Sequence, residues 1–175
     1  EHFSLSDFAQ VSDELNGWNA LKPRPSSAKG KNIGALCDLV KTGRTPARSK
    51  YADSGIFIVK VGNLTGKGIN FEARDRNFIN SREFDARNRA GLMLKAGDIL
   101  LTSSAHAPKY IAKKVDIFDP PYEGVKEATF VGEIMLIRPK QGVDPYRLLF
   151  LFRMNLIQHH LQESVIGQTA HLSPQ

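Results

Sequence analysis

Apolar residues occur along this chain in short, separated blocks, and their spacing predicts a series of small elements. Residues 33–40 form a brief apolar segment with Cys37 in the core. Ile56 to Val61 is rich in β-branched residues and predicts a buried strand. Ile99 to Thr102, Tyr110 to Phe118 and Thr129 to Ile137 predict three more. Between them lie a glycine-rich loop from Gly62 to Gly68, a turn at Gly97 and Asp98, and a connection from Asp119 to Gly124. Asn80 with Glu83 three residues on is a capping-box pattern, predicting a short helix that stops at Gly91. Asp144 and Pro145 supply the N-cap and first-turn proline of one long helix over residues 145–164, ended by Gly167. Tyr146, Leu149, Phe150, Leu156, Ile157 and Leu161 share one broad face of it. Arg153 and His160 fall inside that face, where apolar packing has no use for them. Strands and helices do not alternate strictly and no internal repeat is visible. The expected class is therefore α+β: a single domain with a twisted, largely antiparallel sheet, short helices and one long C-terminal helix.

The first part of the chain reads differently. Residues 1–21 predict a partly helical lead-in, with Ser6 capping a stretch that holds Phe8, Val11 and Leu15. Pro23, Pro25 and Gly30 make residues 22–32 a linker, so the expected domain is 33–175. The 175 residues, 41% hydrophobic and 24% charged, suffice for one ordinary core. The longest apolar run, Leu148 to Phe152, is far short of a membrane span. Glu1, Asp7, Asp13 and Glu14 rule out a signal peptide in these first residues. A lone cysteine, Cys37, forms no internal disulfide and points to the reducing cytoplasm. The sequence begins with Glu and its last residues finish no element, so a piece of a longer protein is expected.

Charge changes the picture. Residues 22–50 hold eight basic residues against Asp38 alone, a local +7, while the whole chain carries +6. A concentrated basic stretch attracts polyanions, of which nucleic acid is the commonest in the cytosol; a solvated linker would show the same charge.

Three motifs suggest catalysis, and each fails on its chemistry. Asp119-Pro120-Pro121-Tyr122 after an apolar strand imitates the signature of DNA methyltransferases acting on exocyclic amines. That reaction needs S-adenosylmethionine in a glycine-rich turn after a parallel strand, and no such turn is present; a plain turn serves as well. Gly62-Asn63-Leu64-Thr65-Gly66-Lys67 imitates a phosphate-binding loop, but three residues separate its glycines where four are needed. Gly68 also stands where a magnesium-binding hydroxyl belongs. Ser103, Ser104 and His106 lie in one loop with no third group to orient the imidazole. The histidines and the one cysteine lack metal-site spacing. No Asp-x-Lys or Glu-x-Lys occurs, which removes a common nuclease core. The residues describe a binder without cofactor, metal or catalytic group. A minimal adenine methyltransferase and a protein–protein adaptor with a basic linker are the alternatives.

Six segments in order resemble a known family: Gly43-Arg44-Thr45-Pro46; Ile58 to Leu64; Lys95 to Ser104; Ile137-Arg138-Pro139; Asp144 to Leu148; and Gly167-Gln168-Thr169. Together they resemble the target-recognition domain of type I restriction–modification specificity subunits, which is also found fused in single-chain restriction–methylation enzymes. The likeness covers about Ile33 to Pro174. It implies an α+β domain that reads one half of a bipartite target in double-stranded DNA. The implied partners are a DNA methyltransferase subunit or fused domain and a restriction endonuclease subunit, with no membrane. A long spacer helix would follow Ser173, and Gln168 and His171 are expected to face it. After Thr102 the family commonly has Ser-Ser-Gly, where this chain has Ser103-Ser104-Ala105.

Such a domain needs cations for phosphates and side chains for base edges. The phosphate candidates are Lys41, Lys50, Lys113 and Lys114, the last two expected on opposite faces of a strand. The base-edge candidates are Arg44, Arg48, Asn63, Lys67, Ser104, His106 and Lys109. Arg and Lys match guanine O6 and N7, and Asn matches adenine N6 and N7, although Asn63 could instead hold its own turn.

Overall fold

The computed structural model describes residues 33–72, 77–119, 125, 127–164 and 170–172. The chain divides into two compact units, Glu1–Leu36 and Cys37–Gln175. Of the first, only a 3-10 turn at Ile33–Leu36 is described. The lead-in with Ser6, the linker at 22–32, Pro120 to Tyr122, Gly167 and Gln168 lie outside the described residues.

The second unit is α+β. Its strands are β1 (Cys37–Thr42), β2 (Tyr51–Ala52), β3 (Ile56–Val59), β4 (Phe78–Ile79), β5 (Asp98–Thr102), β6 (Ser104–Ala105), β7 (Val115–Phe118), β8 (Ala128–Phe130), β9 (Ile134–Pro139) and β10 (Ala170–His171). Its helices are α1 (Ser81–Arg89), α2 (Pro145–Arg153) and α3 (Asn155–Glu163). One sheet, in the order β1-β9-β5-β7, is antiparallel throughout. A second, β2-β4-β3-β8, has β3 and β8 parallel, and β6 pairs with β10. The two larger sheets share one core. Ile58, Val59 and Phe130 from one pack with Leu100, Phe118, Ile134 and Leu136 from the other. Phe57, Phe71 and Phe118 form a chain of tilted rings with centroids 5.4 and 6.0 Å apart. Among the described residues no helix is long and apolar enough to cross a membrane.

Both helix starts follow from their caps. The Glu83 amide donates to Asn80 Oδ1 at 3.0 Å, and the Tyr146 amide to Asp144 Oδ1 at 2.9 Å. Three expectations need correction. The single C-terminal helix is two helices, because Met154 is extended (ψ 133°) and ends α2 while opening α3. A straight helix over 145–164 would run about 30 Å, past the edge of strands about 20 Å long. The break lets α2 bury Leu148, Leu149 and Phe152 against β7, while α3 turns Ile157 onto the 3-10 turn at Pro108–Tyr110. The expected strand from Tyr110 begins only at Val115, because Ala112 has φ 52°, which no strand accommodates. Lys113 and Lys114 are therefore not in a strand. The expected strand over 129–137 is two strands in two sheets, joined by a turn in which the Ile134 amide donates to Val131 O.

Candidate nucleic-acid interface

The register of the β1-β9-β5-β7 sheet defines one end. Thr42 pairs with Met135, Thr102 with Ile134, and Leu101 with Val115. The loop after β1, the turn before β9 and the long loop between β5 and β7 all leave there. Arg44, Arg48, Ser104, His106, Lys109, Lys113 and Lys114 are on these segments, and Lys50 closes the first of them.

The loop after β1 is clamped through its backbone. A Cβ on Gly43 would come within 2.1 Å of Val131 O, so only glycine fits. Thr45 Oγ1 accepts from the Gly132 amide at 3.0 Å and donates to Glu133 Oε2 at 3.0 Å. Pro46 is buried. The Arg44 carbonyl accepts from Nη2 of Arg87, a guanidinium only 1% exposed. Arg87 also donates to Glu83 Oε1 (3.0 Å), Thr129 Oγ1 (3.2 Å) and Phe130 O (3.0 Å). Burial lowers its pKa and Glu83 opposes that shift. The side chains of Arg44 and Arg48 stay exposed.

The glycine-rich loop is held from beneath. Asp116 is fully buried and accepts from the amides of Thr65 (2.8 Å), Gly66 (2.9 Å) and Gly68 (2.8 Å). Arg153 Nη2 reaches the same carboxylate at 3.1 Å, and its Nε donates to Val115 O at 3.0 Å. This is the use of an arginine inside an apolar helix face. Backbone N–H groups that could cradle a phosphate are thus occupied by the protein's own carboxylate. Lys67 is exposed at the loop tip, between Gly66 (φ 80°) and Gly68 (φ 136°). Asn63 is not available to a base: it is buried. Its Oδ1 accepts from the Lys60 amide and Asn77 Nδ2, and its Nδ2 donates to Asn70 O at 2.8 Å.

In the β5–β7 loop, the amides of Ser103 and Ser104 donate to Glu133 O, and Ser104 pairs with His171 in β6 and β10. The hydroxyls of Thr102 and Ser103 are buried without a partner among the described residues. His106, Lys109 and Lys113 are exposed. Lys114 is half-buried, with Nζ 3.4 Å from Val61 O. Lys41 Nζ donates to Ala90 O at the end of α1, which takes that ammonium inward. Asp119 of the methyltransferase-like motif accepts from Tyr146 Oη at 2.6 Å. No three His, Cys, Asp or Glu side chains gather as a metal site among the described residues.

No protein-family model and no curated protein matches the sequence. Solved structures match by shape. The HsdS subunit from Thermoanaerobacter tengcongensis superposes with a TM-score of 0.53 at 15% identity, over 94% of this chain and 38% of that one. A chain from a structure of type I R-M complex assembly and conformational transition gives 0.53 at 14% identity, over 97% and 39%. The chain shares its fold with HsdS. It spans about two fifths of the length of these neighbours. The resemblance to type I specificity subunits therefore holds at the level of the fold.

Residues that hold the loops of the candidate interface but were not singled out from the sequence are Arg87, Thr45 and Asp116. Asp116 did leave a signal, as a carboxylate between Val115 and Ile117 in an apolar strand. Arg87, four residues after Glu83, reads as an ordinary surface pair on a helix.

Proposed function

We propose that this chain is the DNA target-recognition module of a type I specificity subunit, reading one half of a bipartite duplex target. It carries no catalysis of its own, and methylation and cleavage belong to partner subunits or fused domains. The observation behind this is the gathering of Arg44, Arg48, Lys109 and Lys113 as exposed cations on internally bonded backbones at one end of a sheet. Rigid backbones with projecting cations suit a fixed, regularly spaced polyanion. The likeness of fold to HsdS adds the class of system. Arg44 and Arg48 are assigned to base edges, and Lys67, Lys109 and Lys113 to phosphates or guanine. The methyltransferase reading loses support because Asp119 is engaged by Tyr146.

The test is duplex DNA binding by the full-length protein across a salt series. Neutralising about four to six phosphates gives a slope of log K against log salt near −4 to −5. A flat response would favour the adaptor reading. Micromolar S-adenosylmethionine binding abolished by Asp119→Ala would favour the enzyme.

A further inference from the structure

The loop between β5 and β7 carries an arrangement that packing does not explain. Tyr110 is 45% exposed, and two ammonium groups converge on its ring. Lys109 Nζ lies 5.1 Å from the centroid and Lys113 Nζ 5.7 Å. Neither has an acidic partner among the described residues. Three arginines are instead paired internally: Arg87 with Glu83, Arg138 with Asp98 and Arg153 with Asp116. Two like charges held at one ring repel each other, so the free protein keeps an uncompensated pair.

The frame beneath is fixed. Pro108 opens a 3-10 turn in which the Ile111 amide donates to Pro108 O at 2.9 Å. Ile111 and Ala112 are fully buried. The Ala112 amide donates to Thr102 O at 2.8 Å, and Gln162 Nε2 of α3 donates to Ile111 O at 3.1 Å. Ala112 at φ 52° reverses the chain and brings Lys113 back to the tyrosine. A left-handed alanine is strained, and the surrounding packing sustains it. The buried side of the turn is anchored while Lys109, Tyr110 and Lys113 face out.

We propose that Tyr110, Lys109 and Lys113 form a phosphate clamp for the DNA backbone, with the ring holding both ammonium groups in place before the DNA arrives. This rests on the DNA-binding reading above and adds a residue, Tyr110, and a mechanism to it. A lysine tail surrenders rotamer entropy on binding a phosphate, and the ring's attraction for the cation removes part of that cost in advance. The phenol contributes its π face, so its hydroxyl is dispensable.

The test compares duplex binding by the full-length wild type, Tyr110→Phe, Tyr110→Leu, the Lys109→Gln/Lys113→Gln double variant, and the triple variant with Tyr110→Leu. Tyr110→Phe should bind like wild type. Tyr110→Leu should weaken binding about three- to fivefold, the size of an exposed cation–π contact. The double lysine variant should flatten the salt slope by about 2. Adding Tyr110→Leu to it should change nothing further. A tyrosine effect that persists without the lysines would overturn the clamp, because the ring would then touch DNA itself. So would wild-type binding by both Tyr110→Leu and the double variant. Failure of the wild type to bind duplex would overturn the DNA reading together with the clamp.

Discussion

The two ends of the β1-β9-β5-β7 sheet spend their buried charges on different partners. At the end where Cys37 pairs with Pro139 and Asp98 with Phe118, one buried carboxylate closes on a guanidinium, while Lys95 and Lys140 are exposed beside it. Asp98 is buried and accepts from Arg138 Nε at 2.8 Å, Arg138 Nη2 at 2.7 Å and the Lys95 amide at 2.7 Å. The hydrogen bonds to Asp98 raise the pKa of Arg138. Arg138 also donates to Met93 O at 3.0 Å. At the opposite end the buried charges, Arg87 and Asp116, pair with Glu83 and Arg153 and in addition bond the backbone of the loops there, whose cations project outward. One end closes the fold. The other holds the loops that carry the exposed candidate cations.

The largest effect belongs to the closed end. Asp98→Ala strands a partly buried guanidinium that now has a bidentate partner. Losing one member of such a pair should cost about 3 kcal/mol of stability by denaturant unfolding. DNA affinity of the folded protein should not change. A loss below about 1 kcal/mol would show that this end is not closed by the pair.

At the other end, Asp116→Asn should cost less, about 2 kcal/mol, because the amide retains one acceptor oxygen. The amide turns its NH2 group toward N–H donors, so the loop above should loosen. Hydrogen exchange at Thr65, Gly66 and Gly68 should quicken more than the drop in global stability accounts for. Exchange that tracks global stability alone would mean that the carboxylate serves only the core.

The contrast also explains what the sequence made legible. Caps depend on a few neighbouring residues, so Asn80 and Asp144 announced the starts of their helices correctly. The antiparallel character of the main sheet followed from strands and helices that do not alternate strictly along the chain. Changes of direction inside apolar runs were hidden. Val131 to Glu133 moves the chain between sheets at Gly132, a turn signal outweighed by the apolar run around it, and Met154 bends it between helices without proline or glycine. These breaks are set by the size and packing of the sheet, which are long-range properties. At the candidate site, loop position was readable for Arg44, Arg48 and Lys109. The inward use of Asn63 and Lys41 was not, because it depends on Asn70, Asn77 and Ala90 arriving from elsewhere.

The smallest stability effect should carry the sharpest functional one. Arg87 holds the Arg44 carbonyl, not its side chain, so Arg44→Ala leaves that clamp intact. It also removes a positive charge that acts against the Arg87 guanidinium. Arg48 is exposed and fills no part of the core; Arg48→Ala should be as mild. Both should lie within about 0.5 kcal/mol of wild-type stability. A guanidinium on a fixed loop presents its fork to guanine O6 and N7 in one geometry, and losing that contact should cost ~1–3 kcal/mol at one target position. Lys113→Ala should instead weaken all sequences about equally and lower the salt slope by about 1. The measurement is a profile of methylated sites made by the assembled system with each variant, alongside unfolding curves. An unchanged motif in both arginine variants, or a changed motif in the lysine variant, would place the reading surface away from the loop after β1.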